Sequence, residues 1–199
     1  MPPIYDPEAV KPMWEELVAV GIRPLTSPEQ VDEVLANGAK GSTLLVINSV
    51  CGCAAGACRP GVMLSLQNEV IPDNLVTVFA GVDTEATQRA RQLMPDVPAS
   101  SPNIILFKDG KATHALQRHH IEQMTAVDIA NTLKQIFDKE CSRKGPSVPP
   151  EQFEKIDLRF PFIPATKPTY KHFNGARDVV SCAVFICRVR SVCRRTASR

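Results

Sequence analysis

From Thr43 to Ile47 the chain reads TLLVI, an unbroken apolar and β-branched run, and Cys51, Gly52 and Cys53 follow almost at once. Such a run suits a strand buried on both faces, which requires helices on both sides of its sheet. Two further runs share this character, LVTVFA at Leu75 to Ala80 and the stretch from Asn103 to Phe107. Between the first two, Val62, Met63, Leu66 and Val70 can share one helix face, and Pro72-Asp73-Asn74 breaks the chain before the next strand. Gly81-Val82-Asp83-Thr84 then caps a helix through about Leu93, and a proline-rich loop leads to the third strand. Asp109-Gly110 predicts a hairpin into a strand over Lys111 to Gln117. A last helix, from near Thr125, buries Ile129, Leu133, Ile136 and Phe137 and ends by Cys141.

Two helices precede this series. The first places Val10, Met13, Trp14, Leu17 and Val18 at helical spacing, with Asp6 as N-cap, Pro7 in the first turn and Gly21 as its stop. The second opens on Ser27, Pro28 and Gln30 in a capping-box pattern, presents Val31, Val34 and Leu35, and ends near Asn37-Gly38. The order β-α-β-α-β-β-α implies a mixed central sheet flanked by helices, with crossovers making the first strands parallel and the hairpin adding an antiparallel edge. This is an α/β, thioredoxin-like layout with two extra N-terminal helices. It puts the cysteines at the carboxyl end of a central strand and just before a helix, where open α/β sheets hold their sites.

Charge divides the 199 residues into two regions. Residues 1–141, the expected thioredoxin-like domain, carry 11 Lys+Arg against 17 Asp+Glu, whereas residues 142–199 carry 12 against 4. The second region also holds six prolines and no convincing periodicity until Val179, so it is expected to be an irregular, poorly ordered extension, dispensable for chemistry. A basic tail could meet acidic lipid or nucleic acid; a solvated tail is the reading taken, with no nucleic-acid and no membrane partner. The longest apolar stretch, Val179 to Cys187, is too short to span a bilayer. The first twenty residues lack a basic n-region followed by an apolar core, so a cytoplasmic protein is expected.

Seven cysteines is an odd count, and in a reducing compartment a disulfide scaffold explains it poorly. Cys141 stands alone, Cys182, Cys187 and Cys193 fall in the basic tail, and Cys51, Cys53 and Cys58 form a cluster. Thiol-disulfide exchange needs one cysteine that is partly thiolate near neutral pH and a second close enough to displace the intermediate. A helix N-terminus lowers a thiol pKa through its free N–H groups and dipole. Gly52 is expected to allow the unusual backbone angles that bring two sulfurs one residue apart into bonding range. So tight a ring would be strained, giving a potential more oxidising than the ~−270 mV of thioredoxin and nearer the ~−180 mV of a disulfide isomerase. The competing readings are buried structural cysteine, cysteine-hydrolase chemistry with His119 or His120 as base, and a zinc or iron site on Cys51, Cys53 and Cys58. The last, a metal carrier or scaffold, is the alternative function. Pro102, following Ser100-Ser101 and preceding a strand, is a candidate cis-proline facing the cysteines.

The strings NSVCGCAAG at Asn48 to Gly56, Arg59-Pro60, PDNLVTVFAG at Pro72 to Gly81, SSP at Ser100 to Pro102 and the pair Arg118-His119 resemble the bacilliredoxin family over about residues 5 to 141. The resemblance implies a thiol-disulfide oxidoreductase that removes bacillithiol or an equivalent low-molecular-weight thiol from S-thiolated client proteins, with disulfide isomerase activity also attributed to the family. It makes Cys51 the nucleophile, Cys53 the resolving thiol and Pro102 the cis-proline; Gly52, Ser101 and Pro102 are the candidate substrate-binding residues. Cys58 and His119 are accessory candidates. No bound cofactor and no metal is expected; the small thiol is a co-substrate, and an external thiol or flavin disulfide reductase returns the protein to its dithiol form. Cys58 departs from the family pattern, and the tail after about Ile156 has no counterpart in it.

Overall fold

The computed structural model describes residues 2–36 and 39–156. The TLLVI run becomes the body of β2 (Ser42–Asn48), buried at every position. Alternation across the pleat divides its side chains: Leu44 and Val46 join one hydrophobic cluster, Leu45 and Ile47 the other. β2 pairs in parallel with β4 (Asn74–Phe79) and antiparallel with β5 (Asn103–Lys108). β6 (Lys111–Leu116) follows through Asp109 and Gly110, whose φ values of 50° and 74° are those of a tight hairpin turn. With β1 (Arg23–Pro24) at one edge, the sheet order is β1-β4-β2-β5-β6, a thioredoxin-like topology.

On one face α3 (Arg59–Ser65) packs closely on α6 (Ala126–Glu140), with α1 (Pro7–Val18) alongside. Gly61 permits this approach, since a Cβ there would lie 2.7 Å from the Ile129 side chain. The other face is covered by α2 (Pro28–Leu35) and α4 (Thr84–Gln92). The caps implied at Asp6 and Ser27 form, whereas Asp83, at the start of α4, turns its carboxylate to the Phe79 N–H at 2.9 Å instead of capping that helix. Asp6 accepts from the Glu8 N–H at 3.0 Å, Ser27 from the Gln30 N–H at 3.4 Å, and Thr125 from the Asp128 N–H at 3.2 Å.

Four features depart from expectation. The chain reverses before the hairpin: residues 93–102 return it to the carboxyl end of β2, so β5 starts with Asn103 opposite Ile47 and runs antiparallel to it. A two-residue β1 (Arg23–Pro24) pairs with β4 at the sheet edge, where a proline's missing N–H costs nothing. Val70 does not share a helix face with Val62 and Met63. α3 stops at Ser65, and Val70–Ile71 form β3, which pairs with β7 (Arg143–Lys144).

Finally, packed structure continues past Ser142, where the sequence pattern suggested an irregular linker. The Gly145 N–H donates to the Glu69 carbonyl at 2.8 Å and the Ser147 N–H to the Leu66 carbonyl at 3.0 Å. Val148 is buried, and Phe153 of α7 (Pro150–Phe153) and Ile156 pack on the α3/α6 cluster. Borrowed backbone partners, rather than any periodicity of its own, fix this segment. The Asn37-Gly38 stop, Val179 to Cys187 and Cys193 lie outside the described residues. Among the described residues no helix is long and apolar enough to cross a membrane.

Candidate active site

β2 delivers Asn48 to the carboxyl end of the sheet, and Ser49-Val50 carry the chain into Cys51. The helix that follows begins irregularly, with a π-helical turn over Ala54–Cys58 before α3. Single π turns inside α-helices recur at functional sites. The Cys51 sulfur accepts from the Ala54 N–H and from the Ser49 hydroxyl, each at 3.3 Å. Burial works against its thiolate, but hydrogen bonds from the Cys53 thiol, the Ser49 hydroxyl and the Ala54 N–H, with the positive charge of Arg118, outweigh burial and hold the Cys51 pKa below the ordinary thiol value. Cys53 is pushed the other way, up to about 11, by burial, by giving its hydrogen to Cys51 and by the negative charge there. Both cysteines are free thiols and half-exposed.

In this dithiol form Gly52 has no left-handed backbone; its conformational freedom concerns the disulfide form. Gly52 and Cys53 lie in the helical turn that follows Cys51. A Cβ at Gly52, or at Gly56, would meet nothing within 4 Å, so the surface over the cysteines is open.

Cys58 lies at the far end of the π turn, wholly buried among Val62, Met63 and Ile129, and burial pushes its thiol up to about 12. It behaves as a core residue. Ser101-Pro102 is a cis peptide, Pro102 is buried, and the β5 register carries it to the level of Asn48. Arg118 opens the short α5 (Arg118–Ile121), with its N–H 3.5 Å from the Ser100 hydroxyl and its Nε 2.7 Å from Glu122. His119 is exposed and its ring lies 3.9 Å from that of His120, whose pKa is lowered by burial and by His119. His120 Nδ1 receives the Gln117 N–H at 3.2 Å.

Two site residues escaped a reading by type and spacing. Arg118 is the positive charge that acts on both cysteines; the sequence offers it only as part of a surface-looking Arg-His-His string. Arg59 is buried behind the site, whereas the sequence offers it only within the Arg59-Pro60 string. Among the described residues no three His, Cys, Asp or Glu side chains converge as metal ligands, so the metal-site alternative gains no support from Cys51, Cys53 and Cys58.

A mixed sheet of this order, with a dithiol at the carboxyl end of its central strand, defines a thiol-disulfide oxidoreductase of thioredoxin-like fold. A family model described as disulphide isomerase matches residues 5–141. A bacilliredoxin of Cytophaga hutchinsonii is 47% identical over 136 residues, which span 68% of this chain and 99% of that relative. A bacilliredoxin of Staphylococcus aureus is 44% identical over 141 residues, spanning 71% and 96%. The chain belongs to the bacilliredoxin family. Among solved structures, the thioredoxin-like domain of an Arabidopsis protein is 17% identical, with a TM-score of 0.43 over 63% of this chain and 81% of that domain.

Proposed function

We propose that this protein reduces mixed disulfides between client proteins and a low-molecular-weight thiol of the bacillithiol type, with Cys51 attacking and Cys53 resolving. The observation that carries this reading is the opposite displacement of the two thiols: Cys51 is held below the ordinary value while Cys53 is pushed up to about 11. Thiolate therefore forms more readily on Cys51 than on Cys53, which makes Cys51 the preferred nucleophile. It attacks the small-thiol sulfur of the mixed disulfide; a Cys51 to small-thiol bond forms, and the client leaves as a thiolate that takes up a proton. That step also arms the second thiol. Once Cys51 is disulfide-bonded, its negative charge, one of the causes that raise Cys53, is gone. Cys53 loses its proton to solvent and attacks the Cys51 sulfur, releasing the small thiol and leaving a Cys51–Cys53 disulfide. Two electrons have passed to the mixed disulfide, which is released as the client thiol and the small thiol, and an external thiol or flavin disulfide reductase restores them.

Open space over Gly52 and the placement of Ser101-Pro102 beside the end of β2 support that side as the one from which substrate enters. The family description, disulphide isomerase, favours a second reading in which Cys51 attacks a client's own disulfide and the mixed intermediate resolves within the client. Intact-mass analysis after parallel exposure to oxidised bacillithiol, glutathione and coenzyme A tests the first reading. Cys53→Ala should accumulate one small-thiol adduct on Cys51, and Cys51→Ala should form none. A wild-type adduct on Cys53, or a Cys51–Cys58 disulfide in Cys53→Ala, would overturn the assignment.

A further inference from the structure

The turn between β2 and the cysteines has its polar groups shared among three elements. Arg59 opens α3 yet is only 3% exposed, so its charge needs compensation inside the fold. Glu16 of α1 supplies it, its Oε2 accepting from Arg59 Nε at 2.7 Å. Nη1 of the same guanidinium donates to the Ser49 carbonyl at 3.3 Å and to Asn48 Oδ1 at 3.4 Å. Asn48, fully buried, also accepts the Ser49 N–H at 2.8 Å and gives its own amide hydrogen to the Met13 carbonyl at 3.0 Å. Ser49 is thus held by its N–H and its carbonyl, while its hydroxyl is turned to the Cys51 sulfur.

We propose that Arg59, locked by Glu16, is a positioning residue: it fixes the Asn48–Ser49 turn so that the Ser49 hydroxyl and the Ala54 N–H stay aimed at the Cys51 sulfur. This rests on the reading of Cys51 as the attacking thiol. Arg59 acts through Ser49, not through its own charge. The titratable and charged groups that act on Cys51 are the Cys53 thiol beside it and Arg118 from α5; Glu122 faces Cys53, and the Cys58 thiol lies buried on the helix side. Only a planar fork can serve Glu16, Asn48 and Ser49 together; an ammonium at the same place is a point charge on a flexible stem. Donors fixed in advance need no rearrangement when charge develops on sulfur, which is where their contribution to reactivity lies. The network also gives α1 a part in the chemistry, through Met13 and Glu16.

Arg59→Lys and Glu16→Gln in the full chain, followed by the pH dependence of Cys51 alkylation with peptide mass mapping and by thermal melting, test the proposal. Arg59→Lys keeps the charge, and its alkylation midpoint should rise so that Cys51 reacts about 3- to 10-fold more slowly at pH 7. Glu16→Gln should shift the midpoint the same way by less. An unchanged midpoint in folded Arg59→Lys overturns the proposal, because an arginine that only supports the fold would alter melting alone. If Arg59→Lys does not fold, Glu16→Gln decides, since its side chain is 44% exposed and tolerates exchange: a raised midpoint supports the proposal and an unchanged one overturns it. Failure of the underlying reading looks different, as wild-type Cys51 would then alkylate no faster than Cys53.

Discussion

Cys51 and Cys53 shift each other's ionisation in opposite directions: hydrogen bonding between the two thiols lowers the pKa of Cys51 and raises that of Cys53. The two thiols therefore titrate as a unit. Removing Cys51 should release Cys53. In Cys51→Ala the hydrogen bond and the negative charge that raise Cys53 are both lost, while burial, the largest cause, remains. The Cys53 pKa should fall from about 11 but stay above the ordinary thiol value. Each unit of fall gives about tenfold more thiolate at neutral pH. Alkylation of Cys53 against pH, in wild type and Cys51→Ala, measures this; an unmoved midpoint would show that burial alone raises it.

Arg118 lowers the pKa of both cysteines from an exposed position, its guanidinium held by Glu122 four residues on. Arg118→Gln should raise the Cys51 midpoint and slow its alkylation at neutral pH. Because the charge acts through solvent-accessible space, screening should erase the difference: the Debye length falls from about 10 Å at 0.1 M salt to about 3 Å at 1 M. Alkylation rates of wild type and Arg118→Gln should thus converge in 1 M salt. A gap that persists there would assign Arg118 a contact role in place of an electrostatic one.

How far the sequence reveals these features depends on whether the signal is local. β2, β4 and β5 were legible because continuous apolar runs fit little else, and the hairpin because Asp109 and Gly110 both tolerate positive φ. Cys51 and Cys53 stand out because paired thiols after a buried strand have few structural uses. What escaped is non-local. β3 exists only because residues 143–144 supply its partner, so Val70 read naturally as the next position on a helix face. Arg59 looks like any surface arginine until Glu16, 43 positions earlier, is seen to meet it.

The segment after Ser142 offers a direct test of its packing. A chain ending at 141 loses the β3–β7 pairing, two further backbone hydrogen bonds and the apolar contacts of Val148, Phe153 and Ile156. Burial of one or two such side chains with a few net hydrogen bonds amounts to about 2 to 5 kcal/mol. For a domain of this size that corresponds to a melting point lower by about 5 to 15 °C. Chains ending at 141 and at 156, melted side by side, should differ by that margin, while both still form the Cys51 adduct. Equal melting points would mean that the segment rests on the core without stabilising it.

Cys58 provides the last prediction, because its thiol is wholly buried and pushed up to about 12. In the unfolded chain the same group ionises near about 8.5. Between these two values the folded protein keeps a proton that the unfolded chain has lost, so stability is full below the unfolded value and falls as pH rises toward the folded one. One such thiol contributes a slope of up to about 1.4 kcal/mol per pH unit. Cys53 and Cys141, also raised, add to the alkaline loss in wild type, so the informative quantity is the difference between wild type and Cys58→Ala. At pH 7 the variant should be the less stable of the two, because a core sulfur has been removed from among Val62, Met63 and Ile129. That deficit should shrink steadily from pH 9 to pH 11 as the wild type alone bears the cost of protecting Cys58 from ionisation. Urea unfolding at pH 7, 9, 10 and 11 measures both curves. Curves that stay parallel across this range would mean that water reaches Cys58 in the folded protein, and would restore it as a thiol able to compete with Cys53 for the Cys51 sulfur.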